Sequence, residues 1–215
     1  MSRKTIHQLE LDGRRLFVRV DFNVPVTDGV IEDDTRIRAV IPTLRYALEQ
    51  GATLVLGSHL GRPKGTVNPA YTLAPIATRL ADLLGRPVIF APDAVGTAVT
   101  TALADAGPGG VVLLENLRFH PGEEANDMGF ARALADPVDC YANDAFGTAH
   151  RAHASTVGIV SHVPDAAAGL LMAKELRYLG TLLDKPRRPF VGILGGAKVS
   201  GKLEVIENLL GRVDT

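Results

Sequence analysis

Cysteine occurs once in this sequence, at Cys140. A single thiol excludes an internal disulfide framework and a cysteine-based zinc site, and it suits a reducing compartment. Net charge is nearly absent as well: 23 Lys and Arg stand against 24 Asp and Glu, leaving −1 overall. No whole-molecule field therefore draws the chain toward nucleic acid or an anionic membrane, and any preference for anions must come from local clustering. Long apolar runs are missing too. The longest, around 166–173, is far too short to span a bilayer, and the amino-terminal MSRKTIHQLELDG has no apolar core of signal-peptide length. The expectation is a soluble cytoplasmic monomer without nucleic-acid or membrane partners.

What is present is ordinary globular composition, 46% hydrophobic and 22% charged over 215 residues, enough for one well-buried domain and part of a second. Short apolar runs alternate with stretches of helical spacing. Strands are expected at 15–20 (RLFVRV), 52–56, 88–90, 111–114, 138–142 and 190–194. Helices are expected at 35–50, 71–84, 93–104, 125–135 and 167–185, with a last one opened by the glycines of GGAKVSGKLEVIENLLG. In the first helix Ile37, Val40, Ile41, Leu44 and Leu48 share a face, Asp33 and Asp34 are N-cap candidates, Gly51 is the stop, and Pro42 predicts a kink. Strands alternating with helices predict a doubly wound, mostly parallel sheet flanked by helices, a Rossmann-like three-layer α/β/α fold. The basic, proline-rich KPRRP at 185–189 marks a domain boundary, and 190–215 reads as the opening of a further domain.

Ligands of such sheets bind outside the carboxyl ends of the strands, so the residues at the strand exits are the candidates for a site. The first is followed by Asp21, Asn23 and Arg36, the second by His59, Arg62 and Lys64, the fourth by Arg118 and His120, and the fifth by His150, Arg151 and His153. Four exits thus bring an arginine apiece to one edge. Guanidinium groups donate paired planar hydrogen bonds that suit phosphate and carboxylate, so a small ligand with two anionic ends fits that edge. Asp21 and Asn23 either contact ligand hydroxyls and orient the arginines, or form a turn. His150 and His153 lack a third ligand at suitable spacing for a metal, and hydrogen bonding behind the ligand-contacting groups is their alternative role. Cys140, inside an apolar strand, reads as a small hydrophobe. GAKVSGK at 196–202 fits the start of a phosphate-binding loop, but Leu203 stands where Ser or Thr would hold magnesium. A phosphate cradle with Lys198 and Lys202, or a plain β-to-α turn, remain for that stretch.

Five stretches, VRVDFNVPV (18–26), SHLGRPKG (58–65), ENLRFHPGEE (115–124), NDAFGTAHRAHAST (143–156) and LGGAKVSGK (194–202), together resemble the phosphoglycerate kinase family. The resemblance implies reversible phosphoryl transfer in glycolysis between 1,3-bisphosphoglycerate with ADP and 3-phosphoglycerate with ATP. It implies a phosphoglycerate site at Asp21, Phe22, Asn23, Arg36, His59, Leu60, Gly61, Arg62, Arg118 and Arg151. It makes Arg36 and Lys198 the catalytic cations and Lys198 and Lys202 the nucleotide ligands. Gly201 stands where that family has Asp. By the same resemblance, 1–169 is the phosphoglycerate-binding domain, 170–188 a hinge helix and linker, and 189–215 an incomplete start of a nucleotide-binding domain. Mg2+ with its ATP or ADP would then be held by residues of a missing remainder, and the 215-residue chain alone would be inactive, or serve as a binding module without turnover.

Overall fold

The structure, a computed structural model, describes residues 4–184, 186–193 and 203–214. They fall into two compact units, 1–173 and 174–215. The first contains β1 (Arg15–Arg19), a two-stranded hairpin of β2 (Val26–Thr27) and β3 (Val30–Ile31), α1 (Thr35–Glu49), β4 (Thr53–Gly57), α2 (Ala74–Leu84), β5 (Ile89–Ala91) and α3 (Thr97–Ala106). There follow β6 (Val111–Leu114), the single turn α4 (Pro121–Glu124), α5 (Met128–Ala135), β7 (Cys140–Asn143), β8 (Ala166–Ala168) and the start of α6 (Leu170–Asp184). The main sheet has six strands in the order β5-β6-β4-β1-β7-β8, every neighbouring pair parallel. The chain first builds outward from β1 through β4 and then returns to add β7 on the other side. The carboxyl ends of β1 and β7 therefore flank the topological switch point.

Alternation along each strand creates two cores, one on each side of the sheet. Leu16 and Val18 of β1, Leu54 and Leu56 of β4, and Val111 and Leu113 of β6 pack with Ile37, Val40 and Leu44 of α1 and Ile76 and Leu80 of α2. The intervening residues, Phe17, Val55, Val112 and Tyr141, pack with Val99 and Leu103 of α3 and Phe130, Ala131 and Leu134 of α5. Side chains on a strand point alternately to opposite faces, and both faces are covered, so the middle residues of these strands are apolar on both sides rather than alternately polar. This is the three-layer architecture expected from the sequence.

Several elements differ from the sequence reading. Ala167 and Ala168, expected at the start of a helix from 167, instead form β8 with Ala166, because the edge of β7 supplies backbone partners that outweigh the helix preference of alanine. Its outer edge is met by the amino-terminal segment: Thr5 bridges Ala168, the Ala168 amide donates to Lys4 O at 3.0 Å, and Lys4 pairs with Asp165 at 2.6 Å. The hairpin β2–β3 was not foreseen, while α1 is the expected helix with Pro42 inside it. The helix expected at 125–135 begins only at Met128, as α5, with Asp127 capping it through the Phe130 amide at 2.8 Å, and the turn α4 before it was not foreseen. In the second unit, Phe190–Ile193 do not form the expected strand. Among the described residues that unit offers no other strand to pair with, and Phe190 instead exchanges hydrogen bonds with Asp214, donating to its carboxylate at 2.6 Å. Its helix, α7 (Leu203–Leu210), lies where the sequence placed it. No described helix is long and apolar enough to cross a membrane.

Asp144, directly after β7, is the buried joint between the sheet and α6. Its carboxylate accepts the Thr43 hydroxyl from α1 and the Met172 amide, at 2.9 Å, in the first turn of α6, while Thr43 accepts the Leu170 amide at 3.2 Å. One carboxylate thus satisfies an orphan helix donor and ties α1 to α6. Asp144→Ala is expected to cost about 2–3 kcal/mol in urea unfolding, from the lost cap and an unpaired Thr43. Asp144→Asn, which keeps an acceptor, should cost less than half as much, and equal losses from the two would speak against the cap.

Candidate active site

At the end of β1 lies Arg19, only 1% exposed, an arginine inside an otherwise apolar layer. A buried guanidinium is costly wherever a nitrogen is left without a partner. Arg19 Nε donates to Ser155 Oγ at 2.8 Å, Nη1 to the Val20 carbonyl, and Nη2 to His59 Nδ1 at 3.3 Å. Behind Ser155 stands Glu123 of α4, with no exposure at all. Its carboxylate accepts the Ser155 amide at 2.9 Å and hydroxyl at 2.6 Å and lies 3.9 Å from Arg19. Tyr141 of β7 donates its hydroxyl to Ser155 O at 2.9 Å. Three strand exits are therefore fastened together beneath the cleft.

His59 faces this arrangement. An arginine can only donate, so Nδ1 accepts from Arg19 and the imidazole carries its proton on Nε2. Burial, and after it the repulsion of Arg19, Arg118, Arg151 and His153, holds the His59 pKa down to about 2. Arg118 and Arg151 reach the surroundings of His59 from the exits of β6 and β7. Arg118 is buried, donates through Nη1 to the Gly61 carbonyl at 2.9 Å, and has Glu124 Oε1 3.2 Å from its Nε. His153 is buried with Nδ1 3.8 Å from Glu123 and no hydrogen-bond partner on that atom among the described residues. Its pKa is lowered by burial, with Glu123 opposing the shift.

The β1 exit continues into Asp21, Phe22 and Asn23. Asp21 accepts Arg36 Nη1 at 2.9 Å and also the Asn23 amide at 3.2 Å, so it is both a turn former and the orienting partner of Arg36. Phe22 is buried, its amide donating to Ser58 Oγ at 2.9 Å. Asn23 Oδ1 accepts the Gly61 amide at 2.9 Å. Leu60 is buried, and Gly61 takes a left-handed φ of +62° with the Tyr71 ring against it, so a Cβ there would collide. Arg62 and Arg151 are exposed, with no side-chain hydrogen bond or ion pair among the described residues. His150 is exposed, and His120 is engaged elsewhere, its Nε2 2.7 Å from Asp93 and its ring stacked on Phe130. Cys140 is buried in β7 with its thiol pKa pushed up to about 11, chiefly by burial, which fits an inert hydrophobe. Lys198, Lys202 and Gly201 lie outside the described residues. No group of three or more His, Cys, Asp or Glu that would hold a metal ion occurs among the described residues.

Residues the sequence reading passed over carry much of this geometry. Arg19 was counted only as part of a strand, yet a charge within a strand covered on both faces is itself a signal of a buried partner. Glu115 and Asn116 were likewise overlooked. Glu115 accepts the Thr72 hydroxyl at 2.6 Å and the Leu73 amide at 2.9 Å, and Asn116 Nδ2 donates to Leu60 O and Tyr71 O at 2.8 and 2.9 Å. They fix the loop that presents His59 and Arg62.

Fold and site together define a class: a doubly wound α/β protein with a basic cleft at the carboxyl edge of its sheet. The sequence profile described as phosphoglycerate kinase matches residues 6–215. The chain belongs to the phosphoglycerate kinase family. It is 55% identical to the phosphoglycerate kinase of Chlorobium phaeovibrioides and 57% identical to that of Moorella thermoacetica, in each case over all of this chain and 54% of the relative. Among solved structures, phosphoglycerate kinase from Coxiella burnetii superposes with a TM-score of 0.85 at 38% identity, covering 99% of this chain and 53% of its own. The Pyrococcus horikoshii enzyme gives 0.88 at 35% identity over 98% of this chain and 54% of its own. The chain spans about half the length of the curated relatives it matches.

The depressed pKa of His59 has a consequence for stability. The folded protein keeps His59 neutral down to about 2, whereas the unfolded chain protonates it near 6.5. Below pH 6.5 the unfolded state therefore binds more protons, and stability falls by about 1.4 kcal/mol per unit. Between pH 7 and 5, His59→Gln should remove about 2 kcal/mol of the acid-dependent loss, read from urea unfolding at the two pH values. Parallel losses in both proteins would contradict a neutral, buried His59.

Proposed function

We propose that this chain carries the phosphoglycerate side of a phosphoglycerate kinase, binding 3-phosphoglycerate or 1,3-bisphosphoglycerate at the cleft formed by the exits of β1, β4, β6 and β7. The observation that supports it best is the convergence of Arg19, His59, Arg118, Arg151 and His153 in one neighbourhood, beside the Arg36–Asp21 pair. A ligand with a phosphate at one end and a carboxylate at the other meets a guanidinium at each end, and Asp21 and Asn23 stand ready for its hydroxyl. In this reading residues 1–169 are the phosphoglycerate domain, 170–188 the hinge helix and linker, and 189–215 the start of the nucleotide domain.

The reaction is an in-line exchange: a bond forms between the substrate carboxylate oxygen and phosphorus as the bond from phosphorus to the terminal oxygen of ADP breaks. In the other direction the acyl phosphate is the donor. Such a transfer needs positioning and charge stabilisation more than covalent chemistry by the protein. Arg36, held by Asp21, is the cation on the phosphoglycerate side that meets the charge on the transferring phosphoryl group, and Lys198 is its counterpart from the nucleotide side, with Lys202 on the nucleotide phosphates. The magnesium that accompanies ATP or ADP would neutralise charge on the phosphates, and no cluster of three or more His, Cys, Asp or Glu occurs among the described residues to hold it. A monomeric enzyme of glycolysis in the cytoplasm completes the reading.

Calorimetric titration of the 215-residue chain with 3-phosphoglycerate is the direct test. Saturable binding is expected, weakened by salt because Arg36, Arg62 and Arg151 face solvent. Arg36→Ala combined with Arg151→Ala should reduce affinity by roughly a hundredfold or more, as two charge-assisted contacts are lost. A folded chain that takes up no 3-phosphoglycerate would overturn the assignment.

A further inference from the structure

Each buried or half-buried cation of the cleft already has a carboxylate beside it, but the carboxylates differ in how firmly they are held. Glu123, paired with Arg19, is fully buried and accepts two hydrogen bonds from Ser155. Asp21, paired with Arg36, is largely buried and also accepts the Asn23 amide. Glu124, the last residue of α4, is 46% exposed in its side chain and has one ionic contact, 3.2 Å to Nε of an Arg118 side chain that is only 5% exposed. That contact lacks hydrogen-bond geometry: Arg118 Nε has no hydrogen-bond partner. Glu124 is thus a carboxylate beside a buried guanidinium that retains an unfilled donor, and a short rotation returns it to water.

We infer that Glu124 is a resident counter-ion, occupying Arg118 until an incoming phosphate or carboxylate displaces it, and that it thereby limits the affinity of the cleft. This rests on the phosphoglycerate reading of the site. In the free protein the Glu124 carboxylate relieves the cost of burying Arg118, whose pKa is lowered by burial while Glu124 opposes the shift. When an anion arrives, the same carboxylate becomes a competitor for the Nε donor and a repelling charge beside the ligand. The two effects have opposite signs: Glu124 stabilises the empty site and weakens the filled one. A residue whose role is only structural would support both.

The test compares the 215-residue wild type with Glu124→Gln and Glu124→Ala, titrated calorimetrically with 3-phosphoglycerate and, separately, with inorganic phosphate, alongside thermal unfolding with and without each anion. Both variants are expected to bind about five- to thirtyfold more tightly than wild type. Both should melt earlier than wild type when empty and gain more from the anion, since ligand binding to the folded state raises its stability with the logarithm of affinity. Unchanged or weaker binding by either folded variant overturns the inference. So does failure of both to fold, because a half-exposed carboxylate that folding requires is not a displaceable competitor. Binding of phosphate but not of 3-phosphoglycerate by wild type would defeat the phosphoglycerate reading alone, and the Glu124 comparison would then be read from phosphate. Binding of neither defeats both.

Discussion

The buried contact between Arg19 and Glu123, bridged by Ser155, is the constraint on which the site depends. Its value lies in geometry rather than in net stabilisation. Taking both charges out of water is expensive, and a buried pair often contributes no more than an apolar pair of equal volume. Once the fold contains it, however, neither partner can leave without stranding the other. The end of β1, the turn of α4 and the loop after β7 are consequently held together at hydrogen-bond tolerance. His59, resting on Arg19, inherits that precision and is kept neutral by its burial and, after it, by the surrounding cations.

Around this fixed floor the remaining cations are graded in freedom. Arg36 leans on Asp21, while Arg62 and Arg151 project into solvent. The gradation gives the cleft two properties that usually oppose each other. Its base is preorganised, so little ordering is required on binding. Its rim remains hydrated, so an anion can be met in open solvent before it is drawn inward.

Much of this was legible in the sequence, for identifiable reasons. Strand β4 is buried at every position and apolar from Leu54 to Leu56 because both faces are covered, and α1 repeats its apolar residues at helical spacing, so the layered fold was readable from these patterns. The arginines after β1, β4, β6 and β7 were readable because a parallel sheet sends its strand exits to one edge. Arg19 was harder to recognise, since its meaning depends on Glu123, which lies 104 positions away and is read from the folded chain. The alanines of β8 were misjudged because alanine favours helices unless an unpaired strand edge is waiting, and that edge belongs to β7. Phe190–Ile193 erred the other way: their strand-like composition has no described strand in their unit to join.

The amino-terminal segment beside β8 carries a further consequence. β8 is the outermost strand on its side, and a bare outermost strand offers its amides and carbonyls to any similar strand from another molecule. Here the backbone at Lys4 and Thr5 already takes that place, and the Lys4–Asp165 pair sets a charge beside it. The far side is treated more simply, since β5 has only three residues and gives a docking strand little length to follow. Lys4 and Thr5 thus act as a selvedge, finishing the sheet against self-association on the side that carries β7.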